Sequence, residues 1–307
     1  MTFSRQRGVL VLTNQRDFAA DSVIALLKSD GVDVVRLNSD DPSLLPDWSP
    51  GELTSSDLAV WWRQFLPEPT PARTVEALDD RLVVSEQWRS WISVLDAPRG
   101  YWMNPLWAAR VAENKVVQLR TAKTCGFAVP ATLVTNSALS AAAFEARVGQ
   151  CVVKTLRAGY FGYSDQSFMF TRLLTPAILE LSHQWQEQPL IVQARVQPRV
   201  DIRVFMVHGR VEAAVCATVP LDVIDWRTAS DEAHWGLYMI PEALAKACEK
   251  YVERLELEYC AIDFASDGTE IWFLEGNQAG EFAFVDRPLG LGITDAIARA
   301  LSAAPLE

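Results

Sequence analysis

The sequence predicts a small Rossmann-like α/β domain followed by two α+β lobes. Near the N-terminus, short continuous apolar runs alternate with a helical stretch, as is typical of parallel strands buried on both faces. Further along, strands and helices mix, and His208-Gly209 joins two apolar runs like the turn of an antiparallel hairpin. The 307 residues leave room for two or three domains with cores of their own.

The N-terminal domain is predicted from a βαβ pattern between Gly8 and Arg63. A first apolar run precedes a helix over residues 17–29, and two more apolar runs follow the stop at Gly31. The turn after the first strand reads Thr-Asn-Gln-Arg and lacks the glycine fingerprint of dinucleotide-binding domains. We therefore do not assign a nucleotide to this domain.

Later segments follow the same two periodicities. Apolar runs predict strands such as CVVKTL, PLIVQARV, DIRVFMV and YCAIDFA, with a further strand in TEIWFLEGN. The predicted helices cover residues 76–95, 106–124 with Gly126 as the stop, 137–148, 176–187, 241–255 and 294–302.

Composition excludes several function classes. The net charge of -11 disfavours broad binding to nucleic acid or to anionic membranes. The first apolar run is too short for a signal peptide or a membrane span, so we expect a cytoplasmic protein. The five cysteines show no CxxC spacing and are interpreted as buried, reduced thiols.

Tryptophan is concentrated in one part of the chain. Six of the eleven tryptophans, from Trp61 to Trp107, fall within 47 residues. A packed core or a subunit interface is the expected use of such a cluster, and a peptide-binding surface is the alternative.

Two carboxylates lie within apolar strands near the C-terminus. Asp263 and Glu275 flank an Asp-Gly turn, and Asn277 follows two residues after Glu275. A two-residue loop would put the carboxylates on opposite faces, whereas a three-residue loop with left-handed Gly268 puts all three side chains on one face. Three such oxygen ligands suit Mg²⁺ shared with phosphates, and pairing with buried arginines is the alternative.

A buried cation is the second signal. Lys154 lies within an apolar strand and precedes a loop with two glycines, Arg157 to Ser164, which is an arrangement that fits phosphate binding. Lys115 opens a helical segment and is either a second phosphate ligand or an exposed helix lysine. Motifs of P-loop proteins, zinc proteases and serine hydrolases are absent from the sequence.

A set of short motifs follows in a fixed order along the chain: Asn114-Lys115, Val153-Lys154, Val192 to Val196, Asp201-Ile202-Arg203, Ile224 to Arg227, Asp263 and Glu275-Gly276-Asn277. In this order the motifs resemble those of the ATP-grasp ligases over residues 104–303, with a pre-ATP-grasp domain before them. Within that superfamily AVWWRQF, WMNP and FAVPATLVTN look like the graspetide synthetases, which cross-link ribosomally made precursor peptides.

The resemblance implies a role for each matching position. Lys115 and Lys154 become phosphate ligands of ATP, and Arg203 and Arg227 bind the transferred phosphate or the activated carboxylate. The hinge that holds adenine consists of Gln193, Ala194, Arg195 and Val196. The Mg²⁺ ligands are Asp263, Glu275 and Asn277.

The implied organisation is a pre-ATP-grasp domain over residues 1–103 and two lobes over 104–190 and 191–307. The implied reaction activates a peptide carboxylate as an acyl phosphate, which a hydroxyl or amine of the same chain then attacks. ATP and Mg²⁺ are the expected cofactors, a precursor peptide with leader and core is the expected partner, and a homodimer is expected. An amino-acid ligase and a non-catalytic nucleotide-binding regulator are the alternatives.

Overall fold

The computed structural model describes residues 8–39, 58–63, 90, 93, 100–156, 171–180, 185–186, 189–218, 220, 223–229 and 233–303. These residues form three sheets with helices packed against them. The predicted helix over 76–95 lies outside the described residues except for positions 90 and 93. The glycine loop over 157–164, Trp88 and Trp91 lie wholly outside them.

The N-terminal sheet is parallel, with strand order β2-β1-β3-β4, which confirms the βαβ prediction. Its helix begins after Asp17, whose carboxylate accepts a hydrogen bond from the Ala20 N–H at 3.1 Å. Trp61 and Trp62 are buried in the sheet, Trp102 is half-buried, and Trp107 is exposed. The elements are β1 (Gly8–Thr13), α1 (Phe18–Ser29), β2 (Asp33–Asn38), β3 (Leu58–Trp62) and β4 (Gly100–Met103).

Two helices replace the single helix predicted over 106–124, so that prediction is wrong. The chain breaks at Asn114, whose side-chain oxygen accepts hydrogen bonds from two backbone N–H groups of the next turn at 3.0 and 3.3 Å. Lys115 therefore becomes the first residue of a helix. Gly126 ends that helix in the left-handed region, as predicted. The two helices are α2 (Leu106–Ala112) and α3 (Lys115–Cys125).

The middle sheet is antiparallel and has the strand order β5-β8-β6-β7. β8 crosses the lobe boundary expected at residue 190 and pairs with the strands that precede that boundary. The elements are β5 (Thr132–Thr135), α4 (Ala138–Val148), β6 (Cys151–Thr155), β7 (Arg172–Leu173), α5 (Pro176–Glu180) and β8 (Leu190–Ala194).

The C-terminal sheet is also antiparallel, with strand order β11-β10-β9-β12-β13, and His208-Gly209 forms the predicted hairpin turn. Its apolar face packs on α6, and α8 joins it to α1 of the N-terminal domain. Four of the five free cysteines are buried, and Cys216 is half-buried. The elements are β9 (Val200–Val207), β10 (Arg210–Thr218), β11 (His234–Leu237), α6 (Glu242–Arg254), β12 (Tyr259–Ser266), β13 (Ile271–Asn277), α7 (Ala283–Leu289) and α8 (Ile293–Ala303).

Candidate active site

A row of charged side chains crosses three adjacent strands of the C-terminal sheet. Arg203 on β9 lies opposite Asp263 on β12, and Asp263 lies opposite Glu275 on β13. Side chains at paired positions of neighbouring strands share one face of a sheet. This face therefore presents one guanidinium beside two carboxylates.

The hairpin loop between β12 and β13 is longer than predicted. Ser266 pairs with Ile271, which leaves a four-residue loop, longer than either of the two loops considered from the sequence. The Asp267 carboxylate accepts hydrogen bonds from two backbone N–H groups of the loop, each at 2.9 Å, and so favours the longer turn. Gly268 is left-handed, as predicted, with φ +89°.

A β-bulge restores the common face of the two carboxylates. Phe264 pairs with Phe273 but Asp263 pairs with Glu275, so Leu274 is an extra residue on β13. Without this extra residue the carboxylates would lie on opposite faces. The shared face is thus present, but the bulge and not the loop length produces it.

Glu275 lies between two cations. The Lys115 ammonium contacts one carboxylate oxygen, and a terminal nitrogen of Arg227 lies 3.7 Å from the other. The positive charge of Lys115, with Arg227 and Lys154 behind it, holds the pKa of Glu275 well below its usual range despite burial. Glu275 is therefore ionised at neutral pH.

Asp263 is less well stabilised. Arg203 Nε lies 3.2 Å from Oδ1, yet this buried N–H has no hydrogen-bond partner among the described residues. Burial raises the pKa of Asp263 to about 6; Arg203 opposes the rise and the negative charge of Glu275 adds to it. Asp263 thus has a buried arginine beside it, as the alternative interpretation proposed, whereas Glu275 contacts Lys115 and the half-exposed Arg227. A divalent cation would stabilise Asp263 further.

The third predicted metal ligand, Asn277, lies at the solvent end of β13. It follows Glu275 on the same face, and its side chain is exposed and accepts a hydrogen bond from the Ala279 N–H at 3.0 Å. Among the described residues no three His, Cys, Asp or Glu side chains form a metal cluster. Mg²⁺ bound by Asp263 and Glu275 would therefore take further oxygens from Asn277 or from a ligand.

Lys154 on β6 faces the carboxylates from the middle sheet. Its Nζ donates to Gln193 Oε1 at 3.0 Å, and the Gln193 amide nitrogen donates to Thr132 Oγ1 at the same distance. Burial lowers the pKa of Lys154 to about 8, and the positive charges of Lys115 and Arg199 contribute to the shift. The side chain is still mainly cationic at neutral pH.

A cleft between the middle and C-terminal sheets collects most of these groups, while Lys115, Arg203 and Asn277 lie outside its lining. One wall is formed by the end of β8 and the residues directly after it, and apolar side chains of both sheets contribute to the lining. The predicted site residues that line the cleft are Lys154, Gln193, Ala194, Arg195, Val196, Arg227, Asp263 and Glu275.

Solved structures of similar fold cover nearly the whole chain. Macrocyclase MdnC of Microcystis aeruginosa, bound to precursor peptide MdnA, is 22% identical with a TM-score of 0.81, covering 96% of this chain and 99% of that chain. A RiPP-associated ATP-grasp ligase of Chryseobacterium gregarium, with ADP and a leader and core peptide, is 22% identical with a TM-score of 0.81, covering 98% of each chain. The ATP-grasp ligase PsnB, with minimal precursor, Mg and ADP, is 20% identical with a TM-score of 0.76, covering 99% of this chain and 98% of that chain.

The chain has the ATP-grasp fold. The ATP-grasp fold predicted from the ordered motifs is thereby confirmed, whereas the Rossmann-like character of the N-terminal domain stays a prediction. No protein-family model and no curated protein matches the sequence. No helix in the described part of the chain is long and apolar enough to cross a membrane.

The ATP-grasp cleft contains charged residues to which sequence reasoning gave no role. Arg199 donates to Asp201 Oδ1 from two nitrogens, at 2.9 and 2.6 Å, while the buried Asp201 Oδ2 has no hydrogen-bond partner among the described residues. The alternation Arg199, Asp201, Arg203 at the start of an apolar strand was the available signal, because residues two apart in a strand share a face.

Asp225 is the other omitted group. It immediately precedes a 3-10 helix, Trp226–Ala229, and its carboxylate accepts hydrogen bonds from Arg227 Nε at 2.8 Å and from a terminal nitrogen at 2.7 Å. The two-residue spacing of Asp225 and Arg227 is visible in the sequence, but it does not reveal that they bind each other.

Proposed function

We propose that the protein is an ATP-dependent ligase of the graspetide type. It would activate side-chain carboxylates of a ribosomally made precursor peptide and join them to hydroxyls or amines of the same peptide. The observation that carries the proposal is the cleft itself, where cations from both sheets surround incompletely satisfied carboxylates. The ligases of similar fold were solved with precursor peptides and, in two of the structures above, with ADP.

The nucleotide would bind between the two sheets. We assign the adenine to the chain at Gln193 to Val196, and the phosphates to Lys154 and Lys115. Asp201 Oδ2 is a buried acceptor without a partner among the described residues, and such a group costs stability until a donor reaches it. A hydroxyl of the nucleotide is a suitable donor.

Asp263, Glu275 and Asn277 would hold Mg²⁺ against the phosphates. Carboxylate and amide oxygens are the ligands that this ion takes in proteins. When bound, it neutralises phosphate charge and so permits the approach of an anionic carboxylate. Lys115 would then leave Glu275 for a phosphate, because Lys115 and the Mg²⁺ ion would otherwise compete for the same carboxylate.

The reaction has two steps. A peptide carboxylate oxygen attacks the γ-phosphorus, the bond to the β-phosphate oxygen breaks, and ADP leaves. A hydroxyl or amine then attacks the acyl carbon, its proton is released, and phosphate departs. Arg203 and Arg227 would orient the anionic groups and stabilise the charge that builds up on them.

The proposal is tested with ATP, Mg²⁺ and a candidate precursor, a short peptide with repeated Thr/Ser and Asp/Glu that is to be sought in the reading frames beside the gene. Each linkage removes one water, so the product should lose about 18 Da per linkage while ADP accumulates only when the peptide is present. Addition of free amino acids without any dehydrated peptide would favour the amino-acid ligase instead. Nucleotide binding without turnover on either substrate would favour the regulator.

Assembly and location form part of the same proposal. We expect a homodimer in the cytoplasm, with the leader docking mainly through apolar and hydrogen-bonding contacts because the chain carries a net charge of -11. Light scattering of the full chain, with and without peptide, tests the dimer.

A further inference from the structure

Asp225 occupies a junction between the two lobes that the proposed reaction does not use directly. Its side chain is buried and lines the cleft. Arg227 approaches it through Nε and a terminal nitrogen, and the Arg227 backbone N–H donates to the same carboxylate at 3.2 Å. A fork of this kind fixes the plane of a guanidinium as well as its position.

The same carboxylate also reaches the middle sheet. Asp225 Oδ2 accepts a hydrogen bond from the Thr171 backbone N–H at 3.3 Å, immediately before β7. Close by, a terminal nitrogen of Arg199 donates to the Ile224 carbonyl at 2.7 Å. Asp225 therefore contacts both walls of the cleft at once.

Electrostatics agree with a permanently ionised Asp225. Burial opposes its ionisation, but the hydrogen bonds and charge of Arg227 outweigh this, so the pKa of Asp225 is lowered. The terminal nitrogen of Arg227 that faces Glu275 stays 3.7 Å away, beyond hydrogen-bond distance.

We propose that Asp225 is a positioning residue that holds Arg227 toward the terminal phosphate of ATP. The inference rests on the proposed function. Without the Asp225 charge, the Arg227 guanidinium would be free to turn onto Glu275, the nearest carboxylate that the structure places beside it. Loss of the Asp225 charge should therefore weaken the binding of the γ-phosphate of ATP and leave the affinity for ADP nearly unchanged.

Calorimetry of the full-length protein tests this with a non-hydrolysable ATP analogue and with ADP, each with Mg²⁺. For Asp225→Asn we expect analogue affinity to fall about tenfold or more, as for loss of a charged hydrogen bond, with ADP affinity changed less than twofold. Arg227→Ala should match it, and the double variant should be no weaker than either, because both changes remove one interaction. Asp295→Asn, on the exposed face of α8, is the matched control.

Unchanged analogue affinity in Asp225→Asn, equal loss of both nucleotides, or additive losses in the double variant would each overturn the inference. If Asp225→Asn does not fold, Asp225→Glu carries the test, because it keeps the charge but displaces the carboxylate. We then expect a several-fold loss confined to the analogue, and an unchanged affinity contradicts the inference. A wild-type protein that binds neither nucleotide would overturn the proposed function as well.

Discussion

Two buried charge networks, one between domains and one in the cleft, differ in how completely their polar atoms are satisfied. At the domain junction Arg63 donates from Nε to both oxygens of Asp17, at 3.0 and 2.8 Å. Its terminal nitrogens donate to the Gly280 carbonyl at 3.3 Å and to Glu281 at 2.6 Å. Both partners of the Arg63–Asp17 pair are almost fully buried, and each nitrogen of the guanidinium has an acceptor.

The cleft network is less complete. Arg203 Nε and Asp201 Oδ2 are buried and lack hydrogen-bond partners among the described residues. The pKa of Asp263 is raised to about 6, with burial as the first cause, although Arg203 lies beside it.

The difference separates structure from function. A buried network that satisfies itself holds domains together, whereas one that leaves donors and acceptors unpaired is stabilised only when a ligand supplies the missing partners. The junction therefore fixes the turn after β13, and the cleft leaves unpaired donors and acceptors that suit the proposed nucleotide, Mg²⁺ and carboxylate.

The largest effect should come from the same substitution made in both networks. Arg63→Met leaves Asp17 buried without its cation, and we expect the free energy of unfolding to fall by about 3–5 kcal/mol. Arg203→Met removes a guanidinium whose Nε–H is unpaired, and the Asp263 that it leaves behind can take up a proton because its pKa is already raised, so the loss should stay below about 2 kcal/mol while turnover disappears. Urea denaturation measures both, and equal losses would remove the distinction between the networks.

Loss of a cleft carboxylate should act on activity and spare the fold. We expect Glu275→Ala or Asp263→Ala to lower peptide-dependent ADP release by at least about a hundredfold, because each removes a proposed metal oxygen. The exposed Glu242→Ala is the control. ADP release near the wild-type rate in either cleft variant would refute the metal assignment.

Removal of the buried lysine should weaken nucleotide binding. For Lys154→Ala we expect ATP affinity to fall roughly ten- to hundredfold, which corresponds to a charged hydrogen bond of about 1.5–3 kcal/mol. Lys246→Ala, on the exposed face of α6, is the matched control. Unchanged affinity by calorimetry would contradict the phosphate role of Lys154.

The smallest effect concerns pH. Because the pKa of Asp263 is raised to about 6, we expect Mg²⁺ affinity to fall as pH drops below that value, by about tenfold per unit. In the absence of metal, the folded protein is more stable at low pH, because it holds the Asp263 proton more tightly than the unfolded chain does. The free-energy cost of burying the ionised Asp263 carboxylate therefore disappears as pH falls from about 6 toward 4. Mg²⁺ titrations of ADP release between pH 5 and 8 test the prediction, and a flat profile would contradict it.

The sequence predicted the fold and most of the cleft because both depend on local patterns and on motif order. The βαβ unit and the His208-Gly209 hairpin follow from periodicity and turn chemistry. The bulge at Leu274 could not be predicted, because strand register depends on contacts between two separate segments of the chain. The ion pair between Asp225 and Arg227 could not be predicted either, because it depends on how the folded backbone directs their side chains.

The transfer of oxygen from the peptide carboxylate to phosphate tests most directly whether that carboxylate is phosphorylated in this cleft. The peptide's Asp and Glu carboxylates are labelled with ¹⁸O, and the released phosphate is analysed by mass spectrometry after cross-linking with ATP and Mg²⁺. An acyl phosphate gives up its carboxylate oxygen to phosphate when the hydroxyl or amine attacks the acyl carbon, so we expect one labelled phosphate for each linkage. Unlabelled phosphate accompanying cross-linked peptide would contradict the acyl-phosphate route.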